Sequence, residues 1–252
     1  MKEKIKHIVG KKSFHTCVII IIVATMLFFL GITVLKYSVE GETNMPFNLS
    51  KIILINSAEG TEKEAGENKW AFNINQNADI YLYIEKNKNY KEQEAIKSIL
   101  IDNIKIEKQE ESGTISFYRP NTNEKGTTFS NSEENLVENI EYEGAMETDF
   151  KNLKIGNQGG VIIFRCANNN IAEYASNEEV IDHSQLLKNA QKTEESMKAK
   201  ITFDLNIKIQ SGKEYKASVA VDMPVEGIIE NGKSAIEITD LKDVIFKRIK
   251  NI

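Results

Sequence analysis

The strongest constraint on this chain is an uncharged apolar run at residues 17–35, CVIIIIVATMLFFLGITVL. The run contains no proline, and threonine is its only hydroxyl residue. As an α-helix it would be about 28 Å long, close to the roughly 30 Å hydrocarbon core of a bilayer. A buried core helix would keep a polar stripe, and this run has none on any face. The sequence therefore predicts a single N-terminal transmembrane helix over residues 17–35.

The residues before the run indicate its orientation. Residues 1–16 carry five lysines and one glutamate, and basic flanks stay on the cytoplasmic side of a membrane. We therefore expect a short basic cytoplasmic tail over 1–16 and an extracytoplasmic location for everything after the helix. A cleaved signal peptide is the alternative, although the run is longer than a usual signal core and residues 36–41 (KYSVEG) form a poor cleavage site.

The outer part, residues 36–252, is acidic. The whole chain has a net charge of −5, and because the tail contributes +4, the outer part carries −9. Such a balance favours neither nucleic acid nor an anionic lipid surface as a partner of the domain. Cys166 is its only cysteine, so no disulfide can form within it. Together with a composition rich in Lys, Asn, Ile and Glu, this indicates a bacterial envelope protein.

Alternating apolar and polar residues predict a mainly β fold. In the segment 199–209 every second residue is apolar, and a second alternating segment at 215–221 follows Ser211 and Gly212. This is the pattern of a β-hairpin with one buried face. About ten short segments of this kind predict an antiparallel β-sandwich-like ectodomain, because one-sided sheets need a second apolar layer.

Asparagine-rich segments are expected to be turns. Residues 75–78 (NQNA) would join strands at 70–74 and 80–84, and residues 168–170 (NNN) would reverse the strand that ends at Cys166. Each turn would separate two short strands, so the sequence predicts hairpins at both places.

Four further local patterns complete the sequence-based description. Asn231-Gly232 would close a hairpin, and a shift of apolar parity at Asp102-Asn103 predicts a β-bulge. Residues 178–198 show helical spacing with Asp182 as a cap, which predicts one short helix. Residues 240–252 are compatible with either a strand or a helix.

The same patterns divide the chain into regions. Residues 36–48 contain Pro46 and polar spacing residues, and are interpreted as a stalk. Residues 49–252 would form the extracytoplasmic β-rich domain. The polar stretch 121–134 is the candidate internal boundary or long loop within it.

Several residue groups resemble catalytic or metal sites, but each has a simpler explanation. Asp182, His183 and Ser184 are the residue types of a hydrolase triad, yet sequence neighbours rarely form the required relay and Asp182 suits a helix cap. Residues 73–79 place Asn or Asp at every second position, without the glycine and the final carboxylate of a calcium loop. Cys166 lies in an apolar run and is expected to be a buried, inert side chain.

Other chemistry is also not expected. The acidic pairs at 110–111 and 133–134 lie beside predicted turns and are interpreted as solvated. The outer part has one histidine and one cysteine, so zinc is not expected, and no glycine-rich phosphate loop occurs. We therefore expect no cofactor, and no motif in the sequence indicates an enzyme activity.

Tyrosines supply the candidate binding site. Tyr81 and Tyr83 would face outward from one strand and, with Tyr118, could form a platform that stacks on a ligand such as a sugar ring. Cross-strand packing is the simpler role for such residues. The leading hypothesis is an anchored envelope module that binds a protein or a cell-wall polymer, and the alternatives are an extracellular cell-wall hydrolase using carboxylates and an accessory subunit of a membrane assembly.

Overall fold

The computed structural model describes residues 2–35, 45–121, 128–147 and 153–249, and within these the chain is mainly β. The helices are α1 (Lys2–Leu35), α2 (Leu186–Asn189) and α3 (Ile228–Asn231). The strands are β1 (Phe47–Glu62), β2 (Trp70–Lys86), β3 (Ile96–Lys108), β4 (Thr114–Tyr118), β5 (Ile140–Gly144), β6 (Leu153–Ile155), β7 (Gly159–Ser176), β8 (Ala199–Ile209), β9 (Glu214–Asp222), β10 (Lys233–Ile238) and β11 (Lys247–Ile249).

Helix α1 contains the apolar run and exposes it. Twelve large apolar side chains between Val18 and Ile32 are 37% to 67% exposed. The consecutive residues 26–30 are among them, and because successive helical residues point about 100° apart, the exposed apolar surface surrounds the helix. By length and hydropathy, no helix among the described residues qualifies as able to cross a membrane.

The strands form two sheets. The first sheet has the order β10-β1-β2-β7-β4, and the second has the order β11-β9-β8-β3-β5-β6. Neighbouring strands are antiparallel except for β5 and β6, which are parallel. The predicted hairpin of β8 and β9 is confirmed, with Phe203 paired to Val219.

One apolar core lies between the sheets. Every second residue of β1, β2 and β7 faces it, and so do alternate residues of β3, β8 and β9. At its centre Phe164 of the first sheet meets Phe203 of the second edge to face, with ring centroids 5.2 Å apart. Tyr142 of β5 also links the sheets, since its hydroxyl donates to the carbonyl oxygen of Ile163 (2.7 Å) and accepts from its N–H (2.9 Å).

A second, smaller apolar cluster lies where the long strands extend beyond this core. Phe72 and Ile74 pack there against Leu186, Leu187 and Ile228 of the two short helices. Buried amides separate the two apolar groups: the side chain of Gln76 donates to Asn56 (3.3 Å) and to the carbonyl of Met197 (2.8 Å).

The predicted turn at 75–78 is wrong, because β2 runs through it as one strand of 17 residues. Hydrogen bonds to other segments accommodate polar residues inside this strand: Asn75 donates to Thr61 (3.0 Å), and the Asn77 side-chain oxygen accepts from Asn131 (3.1 Å), whereas the Asn77 amide nitrogen has no described partner. The turn propensity of asparagine is thus outweighed by hydrogen bonds to distant parts of the chain.

The predicted reversal at 168–170 is also wrong, since β7 continues for 18 residues from Gly159 to Ser176. The asparagines instead form a bulge, where the register with β2 shifts between Ile74 and Gln76. Asn170 adopts a left-handed backbone with φ of 59°. The side chain of Asn75 stabilises it by accepting a hydrogen bond from the Asn170 N–H (2.8 Å).

Asn231-Gly232 does not close a hairpin. Asn231 ends α3, and Gly232 supplies the left-handed residue after it, with φ of 67°. Glycine commonly follows the last residue of a helix, so Asn231-Gly232 ends a helix here instead of closing a hairpin. The next strand, β10, pairs with β1 instead.

The remaining local predictions have different outcomes. The bulge at Asp102-Asn103 is confirmed, since the β3–β8 register shifts there and Asn103 has φ of 51°. The helix predicted over 178–198 is present only as α2 flanked by single 3-10 turns at His183–Gln185 and Glu195–Met197. At the C-terminus, β11 pairs with β9.

Only the end of the predicted stalk, residues 45–48, lies among the described residues. Residues 36–44 lie outside the described residues, but Met45 and Phe47 are buried and β1 begins at Phe47. Residues 45–48 thus pack with the domain in the structure. On the candidate boundary at 121–134, residues 122–127 are outside the described range, and the flanking strands β4 and β5 join different sheets.

Candidate functional site

The outer face of the first sheet, which points away from the core, carries the candidate site. Strand register places Ile53, Tyr81 and Ile163 side by side, and the next row contains Lys51, Tyr83 and Val161. These six residues alternate with core residues, so they face outward. Val161 is 41% exposed, and the other five are half-buried. We call this set the tyrosine patch.

Charged groups lie within the patch and beside it. The Lys51 ammonium lies 4.4 Å from the centre of the Tyr83 ring and 3.3 Å from a Glu237 carboxylate oxygen. Burial raises the pKa of Tyr81, and the nearby Asp79 carboxylate raises it further. Tyr81 thus stays a neutral phenol that can donate or accept a hydrogen bond.

A buried ion pair lies in the row next to the patch. Arg165 of β7 donates to both carboxylate oxygens of Asp79, at 2.6 and 3.0 Å, and their side chains are only 8% and 14% exposed. Burial alone would lower the pKa of the Arg165 guanidinium, but Asp79 and then Glu59 raise it above its usual value. Arg165 is therefore a fixed cation.

The segment after residue 127 covers this ion pair. Asn131 accepts a hydrogen bond from Arg165 (3.0 Å), and the Phe129 ring lies 4.9 Å from the guanidinium carbon. Cross-strand pairing also places Tyr118 of β4 beside Arg165, where it is 6% exposed. The outer face is thus covered around Arg165 and open at the tyrosine patch.

The structure therefore separates the three predicted platform tyrosines. Tyr81 and Tyr83 lie together on the open part of the outer face, whereas Tyr118 is buried two strands away. Sequence reasoning missed Lys51, Ile53, Val161 and Ile163 as their neighbours. The alternation in each strand was visible, but which strands are adjacent was not.

The triad-like residues do not form a relay. The Ser184 hydroxyl donates to Asp182 (2.7 Å), and so does the Ser184 backbone N–H (2.9 Å). The His183 ring instead packs edge to face on Phe72, with centroids 5.4 Å apart. Asp182 acts as the cap of the short helical turn, and its hydrogen bonds to Ser184 lower its pKa.

The other candidate groups are equally accounted for. Asn73, Asn75, Asn77 and Asp79 lie on one face of β2, but a strand spaces alternate residues about 7 Å apart. The side chains of Asn75, Asn77 and Asp79 are bound to Thr61, Asn131 and Arg165 instead. Glu110 binds Lys192 (2.7 Å), which lowers its pKa. Cys166 is 1% exposed, and burial raises the pKa of its thiol, so it is unreactive in the folded protein.

Fold and site together define a two-sheet β protein with an open aromatic patch on one outer face. Comparison with known protein families, curated proteins and solved structures finds no match to this chain.

Proposed function

We propose that the chain is a single-pass membrane protein of the bacterial cell envelope. Its sandwich-like domain would lie outside the membrane and bind a protein or a cell-wall polymer through the tyrosine patch. The observation that carries the anchoring is the apolar surface around α1, because exposure of that surface to water costs roughly 25 cal/mol per Å². Since no described helix qualifies as a membrane span, this part of the proposal rests on the exposed side chains and on the sequence of residues 17–35.

The tyrosine patch supports the binding role. Ile53, Tyr81, Tyr83 and Ile163 form an apolar and aromatic surface on three neighbouring strands. Ile53 and Tyr81 are paired on both sides, and Ile163 is paired with Tyr81 on one side and bound by the Tyr142 hydroxyl on the other. Aromatic residues on a rigid scaffold lose little entropy on binding and are enriched in contact surfaces. Lys51 and Glu237 add a polar rim.

We expect the domain to be accessible from outside intact cells. In a Cys17→Ser background, Asn68→Cys would place a thiol in the exposed loop between β1 and β2, while Cys166 stays buried. A membrane-impermeant maleimide should label Asn68→Cys in intact cells. Ser13→Cys, in the basic tail, is the matched control and should react only after permeabilisation. Labelling of Ser13→Cys but not of Asn68→Cys in intact cells would reverse the proposed orientation, and recovery of a shortened chain in the medium would establish cleavage.

Binding should depend on the patch tyrosines. We expect Tyr81→Ala combined with Tyr83→Ala to weaken retention of the protein on isolated cell-wall material or on an envelope protein by about tenfold or more, the loss typical of removing anchoring aromatics. Val180→Ala, which truncates a side chain that is 80% exposed elsewhere on the domain, should leave retention unchanged. Equal retention of all three proteins would exclude the patch as the binding surface.

A further inference from the structure

A lysine-rich loop lies where the domain begins. The loop comprises residues 86–91 (KNKNYK), which we call the basic loop. Its Asn87 side chain donates to the carbonyl of Met45 (2.8 Å), and its Asn87 N–H donates to the carbonyl of Pro46 (2.8 Å). These bonds fix the loop beside the first described residues after α1. Only residues 36–44 separate Met45 from the end of that helix.

The lysines of the basic loop are available for a partner. Lys88 and Lys91 are exposed and Lys86 is half-buried, and within the described ranges none of the three forms an ion pair. The acidic neighbours Glu92 and Glu94 face Lys213 instead, at 3.6 and 3.9 Å. Glu85 is the exposed carboxylate that precedes the loop.

The basic loop itself is cationic, although Glu85, Glu92 and Glu94 flank it and the domain as a whole is acidic. Residues 36–252 carry −9 overall, yet three lysines occur within six residues of the basic loop. Tyr90 lies between Lys88 and Lys91, and its hydroxyl is held by Glu92 (3.2 Å) and Lys213 (3.4 Å). A tyrosine among lysines is the composition found at membrane surfaces, where lysine meets anionic headgroups and tyrosine occupies the interface.

We propose that the basic loop contacts the anionic lipid headgroups of the membrane in which α1 is anchored. The inference rests on the proposed anchoring. The nine residues between α1 and Met45 can span at most about 35 Å, so the tether is short enough to let the loop reach the bilayer surface. Contact within a Debye length of roughly 10 Å would then orient the domain with its basic loop toward the lipid and its opposite end, about 50 Å away along β2, toward the exterior.

Headgroup quenching of the full-length protein tests this orientation. The protein, in a Cys17→Ser background, carries a fluorophore at Asn89→Cys in the basic loop or at Asn68→Cys in the loop at the other end of β2. Each is reconstituted in phosphatidylcholine vesicles with or without phosphatidylglycerol, and both contain a lipid with a quencher on its headgroup. Flotation of the vesicles measures anchoring separately.

We expect phosphatidylglycerol to increase quenching at position 89 by about twofold or more, and high salt or the triple variant K86Q, K88Q, K91Q to abolish the increase. Position 68 should show no increase. Equal quenching at position 89 in both lipids, or an increase at position 68 instead, overturns the proposal. If the protein floats with neither vesicle, anchoring and loop contact both fail. If it floats only with phosphatidylglycerol, the anchor fails; loss of that flotation in the triple variant then supports the loop contact, and flotation that persists through the lysines of residues 1–16 overturns it.

Discussion

Replacing Asp79 by alanine should lower the free energy of unfolding by about 3–5 kcal/mol. Asp79 is the only described residue that binds the Arg165 guanidinium through two hydrogen bonds. The variant would leave that cation buried beneath Phe129 and Asn131 with only the exposed Glu59 carboxylate nearby, 3.6 Å away. A buried charge without its partner is far more costly than loss of the pair as a whole.

Urea unfolding of the detergent-solubilised full chain would measure this change. Trp70 is the single tryptophan and packs on Phe72, so its fluorescence reports unfolding of the domain. Glu237→Ala breaks the exposed pair with Lys51 and should cost about 1 kcal/mol or less. The double variant Asp79→Leu, Arg165→Met should recover much of the loss. A cost for Asp79→Ala no larger than for Glu237→Ala would contradict the buried ion pair.

Truncation of Phe164 to alanine should have a similar effect, about 3–5 kcal/mol. Phe164 is 0% exposed and contacts Phe203 across the interface between the sheets. The variant would lose apolar burial and leave a cavity that both sheets border, and a cavity between strands fixed by pairing can collapse only partly.

The same urea titration measures this variant against Val161→Ala. Val161 lies on the same strand but faces outward and is 41% exposed, so its truncation should change stability by no more than about 0.5 kcal/mol. Similar costs for the two variants would mean that the sheets do not share the core around Phe164.

Local alternation predicted the strands well but not their lengths. The hairpin of β8 and β9 required only neighbouring residues, and it is confirmed. The long strands β2 and β7 were divided in error, because the hydrogen-bond partners that hold Asn75 and Asn77 inside a sheet come from Thr61 and Asn131. Turn propensity depends only on neighbouring residues, so it takes no account of hydrogen-bond partners that lie so far away in the sequence.

The candidate site shows the same limit of prediction from local sequence patterns. The outward direction of Tyr81 and Tyr83 follows from period-two alternation alone, but Asp79 and Arg165 are 86 residues apart and nothing local links them. From the sequence alone, Asp79 is therefore recognisable only as part of a calcium-like segment. The lysines of the basic loop were visible in the sequence, whereas their position beside Met45 depended on the fold.

The strand order has a consequence for self-association. The four edge strands β10, β4, β11 and β6 have only 6, 5, 3 and 3 residues, so each exposes roughly 10–20 Å of unpaired backbone. Beyond the end of β4, the Tyr142 hydroxyl occupies the N–H and carbonyl of Ile163. Short or blocked edges offer poor templates for a strand from another molecule. The edge strands cover only part of their neighbours, since β11 pairs with three of the nine residues of β9 and β4 with five of the eighteen of β7. Edge pairing between crowded copies would therefore be confined to the lengths of β9 and β7 that remain uncovered.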